Sequence, residues 1–291
     1  MWEASFRELS AVAARQQGII TSAQADRVGV DRAALDHLRE AGLLLTLDAD
    51  VFQIASSSTA PRYAYPYAAW LLISPGLFRW ERPEAPADDA VLSHESACQL
   101  HGLGSVPAPL TVFTAPTERP APRAARIHVS PLAPDEVMVV TGLPVTTPHR
   151  TLVDLVRDWT GHEQVGKAIF DAVRRDLVDL GALYADLTPL AAEHHFPLDG
   201  RDFLRYFVPD LPPESLPSRN RRAYAALYFP DRVAAVRERV RPVVTAARAG
   251  SGSTGASEPP AEEAALVQDI AAEIVGRIGY PDGHGSGNTQ I

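Results

Sequence analysis

The chain has 291 residues, of which 46% are apolar and 22% charged, with a formal net charge of -9. That length is enough for two or three domains, and an acidic protein of this kind is not built to coat nucleic acid non-specifically. A single cysteine, Cys98, rules out an internal disulfide and a cysteine-rich zinc site. Met1 to Ala4 does not read as a signal peptide. The longest apolar run, Ala68 to Ile73, is too short to span a bilayer, so a cytoplasmic protein with no membrane partner is expected. The first element is a helix at about Phe6 to Gln16, with Phe6, Leu9, Val12 and Ala13 facing inward. Gly18 to Gly42 then reads as two short helices around a tight turn. Thr21 or Ser22 caps the first, Gly29 supplies the left-handed residue that ends it, and Asp31 caps the second. In that second helix Ala34, Leu35 and Leu38 form the inward stripe, which leaves Arg32, Asp36, His37 and Arg39 outward. Leu43 to Leu47 and Val51 to Ile54 read as two strands around the turn Asp48-Ala49-Asp50. Residues 1–55 thus form a winged helix-turn-helix, whose second helix can lie in a DNA major groove.

After a polar link at 55–61, Tyr63 to Ile73 reads as a packed helix starting at Pro66, and Arg82 to Asp89 as a surface loop. A helix runs from Ser93 through His101 and is closed by Gly102 and Gly104. Leu110 to Thr114, Arg126 to Val129 and Val137 to Val140 are β-branched runs between proline-rich turns and read as strands. Gly142 to Leu155 reads as a strand, a turn and a helix start, with Thr147 as cap and Pro148 at the first helical position. Helices follow at 151–159, 162–177, 181–194 and 199–207, completing an α+β body at 61–207. Val208 to Pro217, with four prolines, reads as a linker.

Residues 218–248 form an arginine-rich helical region interrupted near Pro230 and Pro242. Between 201 and 250 ten arginines face five acids. Arg219, Arg221, Arg222, Arg232, Arg237, Arg239 and Arg241 have two readings, contact with DNA backbone or with an acidic partner face; as a third, their stems simply cover apolar surface. Residues 249–260 read as a flexible Gly/Ser/Pro linker and 279–291 as a disordered tail. Between them, 261–278 is an amphipathic helix with Leu266, Ile270, Ile274 and Ile278 in one stripe and Val267, Ala271 and Val275 beside it. It can dock on its own body or in a partner's groove.

No set of residues carries enzyme chemistry. Gly102-x-Gly104 lacks the third glycine of a dinucleotide loop, and neither a nucleophile elbow nor a phosphate-binding loop is present. His94 and His101 lie seven apart beside Glu95, but without a third ligand of known spacing they make no metal site. His194 and His195 sit at a helix end, where imidazolium suits the dipole. Arg150 pairs with Asp154 at i+4. Cys98 reads as a small buried apolar residue. Neither a catalytic residue, a metal nor a cofactor is expected.

Leu9 to Ile54 resembles the winged-helix domain of the AbiEi family of antitoxins from type IV toxin–antitoxin systems. The resemblance extends to Val91-Leu-Ser-His-Glu-Ser-Ala97, His101-Gly-Leu103 and Gly142 to Leu155, over roughly residues 5–205. It implies a DNA-binding protein that represses its own operon and opposes a nucleotidyltransferase toxin, AbiEii, made from the neighbouring gene. Some relatives carry a restriction-endonuclease-like domain. Such a nuclease needs a D/E-x-K motif, and the chain's only lysine, Lys167, has Val165 two places before it.

The residues expected at operator DNA are Thr21, Ser22, Arg32, His37 and Arg39: hydroxyls and helix starts for phosphates, Arg and His for base edges. Against this, Arg32 and Arg39 can pair with Asp36 and Glu40, and residues 1–55 hold five arginines against eight acids. Since duplex affinity comes largely from phosphate neutralisation, a second reading stays open, a winged helix that has kept its fold and serves protein contact. A homodimer would suit an inverted-repeat operator.

Overall fold

The computed structural model describes residues 2–196, 200–209, 211–250 and 261–278. The chain divides into two compact units, residues 1–168 and 169–291, and the class is α+β as expected. The expected tail at 279–291 lies outside the described residues, as does 251–260 of the expected linker. Residues 249 and 250, also placed in that linker, instead end a helix.

In the first unit α1 (Trp2–Ala14) and β1 (Ile19–Thr21) lead into α2 (Ser22–Arg27) and α3 (Arg32–Glu40). β2 (Leu44–Asp48) and β3 (Val51–Ile54) then form the wing. Leu9, Ala13, Ile20, Ala25, Leu35, Leu38 and Phe52 pack into one core, with Phe6, Val12 and Ala34 partly buried against it. The local signals act as read. Thr21 and Gln24 make a capping box on α2, Gly29 takes φ +78°, and the Asp31 carboxylate accepts from the Ala34 N–H at 2.8 Å. The sequence gives no sign of β1, which is only three residues long. It joins the wing as an edge strand in an antiparallel sheet of order β1-β3-β2, with Ile20 opposite Phe52.

α4 (Pro61–Ile73) lies against all three of these strands. It starts at Pro61 rather than Pro66, since Pro61 supplies the first-turn proline, and Pro66 stays inside the helix for the loss of one backbone bond. The polar link at 55–60 therefore separates no cores. Ile19 and Val51 of the wing sheet share an apolar cluster with Tyr67, Trp70 and Leu71 of α4, and with Leu92, Phe113 and Val145 of a second sheet. That sheet has the order β6-β5-β4-β8-β7. Its strands are β4 (Val91–Leu92), β5 (Thr111–Ala115), β6 (Ala125–Val129), β7 (Val137–Val140) and β8 (Leu143–Thr146). β4, another strand too short to show a period, holds its centre: antiparallel to β5 and parallel to β8. α5 (His94–His101) packs on β5, β8 and α6 (Pro148–Arg157), and Gly102 ends it at φ +65°.

The segment Arg82 to Asp89, expected as a surface loop, is anchored at both ends. Arg82 and Asp89 are buried and pair at 3.1 Å. Arg82 also donates to the Trp70 carbonyl at 2.7 Å and lies over the Trp70 ring, while Asp89 receives Arg119 at 3.0 Å. These bonds offset much of the cost of burying the pair, although the buried Arg82 Nε has no hydrogen-bond partner.

α7 (His162–Arg174) crosses the division between the units. The second unit continues with α8 (Leu180–Glu193), α9 (Gly200–Phe207), α10 (Ser218–Tyr228), α11 (Pro230–Gly250) and α12 (Ala261–Ile278). Buried Asn220 ties three elements: its Nδ2 donates to the carbonyls of Val173 at 2.8 Å and Val178 at 2.9 Å, and its Oδ1 accepts from the Leu180 N–H at 2.8 Å. Within the expected linker at 208–217, Val208, Leu211 and Leu216 are buried. The break before Pro230 is present, but Pro242 lies inside α11 and does not end it. α12 docks on α10 and α11 of its own chain. Its buried stripe is Val267, Ala271, Ala272 and Val275, one residue round from the stripe expected; Leu266 and Ile278 are exposed. Among the described residues no helix is long and apolar enough to cross a membrane.

Candidate nucleic-acid interface

α3 shows its polar face to solvent because Leu35 and Leu38 are spent in the core. Arg32, Ala33, His37, Arg39 and Glu40 are left outside. His37 lies beside the Trp2 ring, centroids 6.1 Å apart. The wing turn reaches the same surface. The Ser22 N–H donates to the Asp50 carbonyl at 2.9 Å, the Ser22 hydroxyl to the Asp50 carboxylate at 3.1 Å, and Arg32 to that carboxylate at 3.2 Å. Asp50 thus fixes the wing tip against the starts of α2 and α3, a role the sequence did not suggest.

Of the five residues expected at DNA, Arg32, His37 and Arg39 are exposed on α3, and half-buried Ser22 is joined to Arg32 through Asp50. Thr21 is a correction. It is fully buried, its hydroxyl donates to the Pro75 carbonyl and accepts from the Gln24 N–H at 3.1 Å, and it has no surface left for a phosphate. Both arginines of α3 are paired, Arg32 with Asp36 at 3.6 Å and with Asp50, Arg39 with Asp36 at 3.2 Å. These groups are 40–60% exposed, and surface pairs of that kind contribute only about 0.2–1 kcal/mol. An incoming phosphate can displace them.

A buried amide network holds this face to the segment behind it. Gln16 donates to the Ile19 carbonyl at 2.9 Å and to Gln24 Oε1 at 2.6 Å, and Gln24 donates to the Leu77 carbonyl at 2.7 Å. Beside them Arg27 makes a two-pronged pair with Glu81 at 2.6 and 2.8 Å. That pairing, with the Phe78 N–H, holds the Glu81 carboxyl down to about 2. Gln24 was readable in advance, since a threonine followed three residues later by glutamine is a capping box. The Arg27–Glu81 contact spans 54 positions and leaves no local sign.

The carboxy-terminal arginines do not form the free basic patch their density suggested. Arg219 pairs with Asp176 at 2.9 Å, Arg221 with Glu273 at 2.9 Å and Arg222 with Asp269 at 3.7 Å. Arg237 and Arg241 both reach Glu238, and Arg232 lies over the Phe229 ring. Arg239 is exposed. The counter-charges of Arg219, Arg221 and Arg222 come from α12 and from the α7–α8 turn, beyond the window in which the excess was counted. Lys167 pairs with Glu163 on the surface at 3.1 Å. The start of α6 is capped as expected: Thr147 accepts from the Arg150 N–H, and Arg150 pairs with Asp154 at 2.8 Å and Glu136 at 2.7 Å. Cys98 is buried, as expected. His94 and His101 do not converge, for His101 Nε2 is bonded to the Thr146 carbonyl at 2.8 Å.

Among known proteins, residues 7–48 match the family described as transcriptional regulator, AbiEi antitoxin. The match runs from within α1 to the end of β2. It leaves outside it the stretches at 91–103 and 142–155 that also carry the resemblance. No curated protein matches the chain.

Proposed function

We propose that the protein is a DNA-binding transcriptional regulator and antitoxin that represses its own operon and opposes a nucleotidyltransferase toxin of the AbiEii kind. It works by binding rather than by catalysis, in the cytoplasm. α3 enters the major groove of operator DNA, with Arg32, His37 and Arg39 facing base edges and phosphates, while Ser22 and the start of α2 meet the backbone. The observation that carries this reading is the exposed polar face of α3 on a capped, rigidly braced helix-turn-helix whose sequence matches a family of regulators. A homodimer reading two half-sites fits an inverted-repeat operator.

The pairing of both α3 arginines with aspartates favours a second reading, a winged helix used for protein contact without DNA. A gel shift with the gene's own upstream duplex separates the two: binding at low salt supports the regulator, and no shift even at 50 mM salt ends it. The antitoxin half has its own test. Co-expression should relieve toxicity of the neighbouring gene product, and a harmless or unrelieved neighbour removes that half alone.

A further inference from the structure

We propose that His94, His128 and Asp158 form a binding site for one divalent transition-metal ion of the zinc or cobalt class. The three residues come from the first turn of α5, from β6 and from the carboxy-terminal cap of α6. Their ligand atoms all lie within 4.8 Å of one another. His94 Nε2 is 3.4 Å and His128 Nε2 4.0 Å from Asp158 Oδ2, and the two rings stack with centroids 4.2 Å apart. His101, seven residues from His94, was the wrong partner; the third ligand comes from sequence positions far from either.

Two further observations point to a ligand. His128 Nε2 is buried, and no hydrogen-bond partner satisfies it. A buried imidazole nitrogen facing a carboxylate oxygen at 4.0 Å is too far for a hydrogen bond and well placed for a shared ion. His94 itself is held by its other nitrogen, Nδ1, which contacts the Ser93 hydroxyl at 2.9 Å, and that hydroxyl is in turn bonded to Thr114 Oγ1 at 2.9 Å. Metal-bound histidines are oriented by this kind of second contact. His94 also sits at φ +49°, an unusual conformation for a non-glycine residue, and it is this turn that opens α5.

The field suits a cation. Asp158 caps α6 at the end where the helix carbonyls concentrate negative charge. Glu95 adds a second carboxylate nearby, and Arg126, paired with it at 3.5 Å, offsets one charge. Two imidazoles and one carboxylate are a zinc-type donor set with a position left for water. Bonds of about 2.0–2.1 Å in a tetrahedron put donors about 3.3 Å apart. The His94–Asp158 separation is already close to that. His128 Nε2 must close on Asp158 by less than an ångström, and the stacked rings must splay at their far edges so that the two Nε2 atoms converge on the ion.

The test uses the full-length protein, stripped with a chelator and titrated with Co2+ alone and with Zn2+ alone. Saturable one-to-one binding, visible d–d absorption of four- or five-coordinate Co2+ displaced by Zn2+, and a melting temperature raised by Zn2+ are expected. His128→Gln and Asp158→Asn should each weaken binding about 10- to 100-fold while keeping the far-ultraviolet circular dichroism, and His37→Gln should leave it unchanged. Folded wild-type protein that binds neither ion up to millimolar concentration overturns the proposal. So does binding that survives both ligand substitutions, because the ion then sits at another of the nine histidines.

Discussion

Asp50→Asn should make the protein a better DNA binder. The substitution removes the nearer of the two carboxylates paired with Arg32, at 3.2 Å against 3.6 Å for Asp36, while the replacement amide can still accept from the Ser22 hydroxyl and keep the wing turn in place. Releasing an exposed ion pair frees about 0.2–1 kcal/mol, a gain of about 1.4- to 5-fold in affinity. Deleting the wing's own charge about 7 Å from a phosphate contributes about another 0.6 kcal/mol in water. Together these predict about four- to fifteenfold tighter binding of the upstream duplex at 50 mM salt. The salt slope should steepen by up to about 0.9 as Arg32 takes a phosphate. Fluorescence anisotropy from 50 to 200 mM salt measures both. Unchanged or weaker binding by a variant with wild-type melting temperature would refute the reasoning, since the wing tip and Arg32 would then lie off the DNA.

Three other outcomes follow from the packing. Asn220→Ala leaves the Val178 carbonyl and the Leu180 N–H unsatisfied inside the second unit, while the Val173 carbonyl keeps the Asp176 N–H at 3.2 Å; at about 1–3 kcal/mol for each buried group this should destabilise it by roughly 2–6 kcal/mol in urea denaturation, and a loss under 1 kcal/mol contradicts this. Gly104→Ala places a Cβ 2.9 Å from the Ala168 backbone nitrogen at a residue with φ +53°, and should cost about 2–4 kcal/mol, which thermal melting will show. The Arg27–Glu81 pair makes stability pH-dependent. The Glu81 carboxyl is depressed from 4.5 to about 2, so its contribution is complete above the unfolded value and fades as pH falls from about 4.5 to 2. Glu81→Gln should flatten that part of the stability profile, and an unchanged acid limb counts against the pair.

Much of the winged helix was legible because its signals are local: the Asp31 cap, Gly29 at positive φ, and the Leu35 and Leu38 stripe each act within one turn. β1 and β4 were not, since strands of three and two residues show no period and exist only through pairing with distant partners. Pro66 read as a helix start and Pro242 as a break, yet both lie inside longer helices. The arginine-rich window looked basic because counting along the chain cannot see Asp176, Asp269 and Glu273 folding back onto it. Thr21 shows the same limit at one residue: its capping role was local and readable, whereas its burial under the Pro75 carbonyl was not. His128 and Asp158 gave no sign beside His94, because 34 and 64 positions separate them from it.

The central claim is that α3 reads operator DNA, and anisotropy titration of the gene's own upstream duplex against a scrambled duplex tests it most directly. Wild-type protein should prefer the upstream duplex, and Arg32→Ala with Arg39→Ala should lose about 2–4 kcal/mol of that binding while the melting temperature holds. Equal affinity for both duplexes, or full binding by the double variant, contradicts the account.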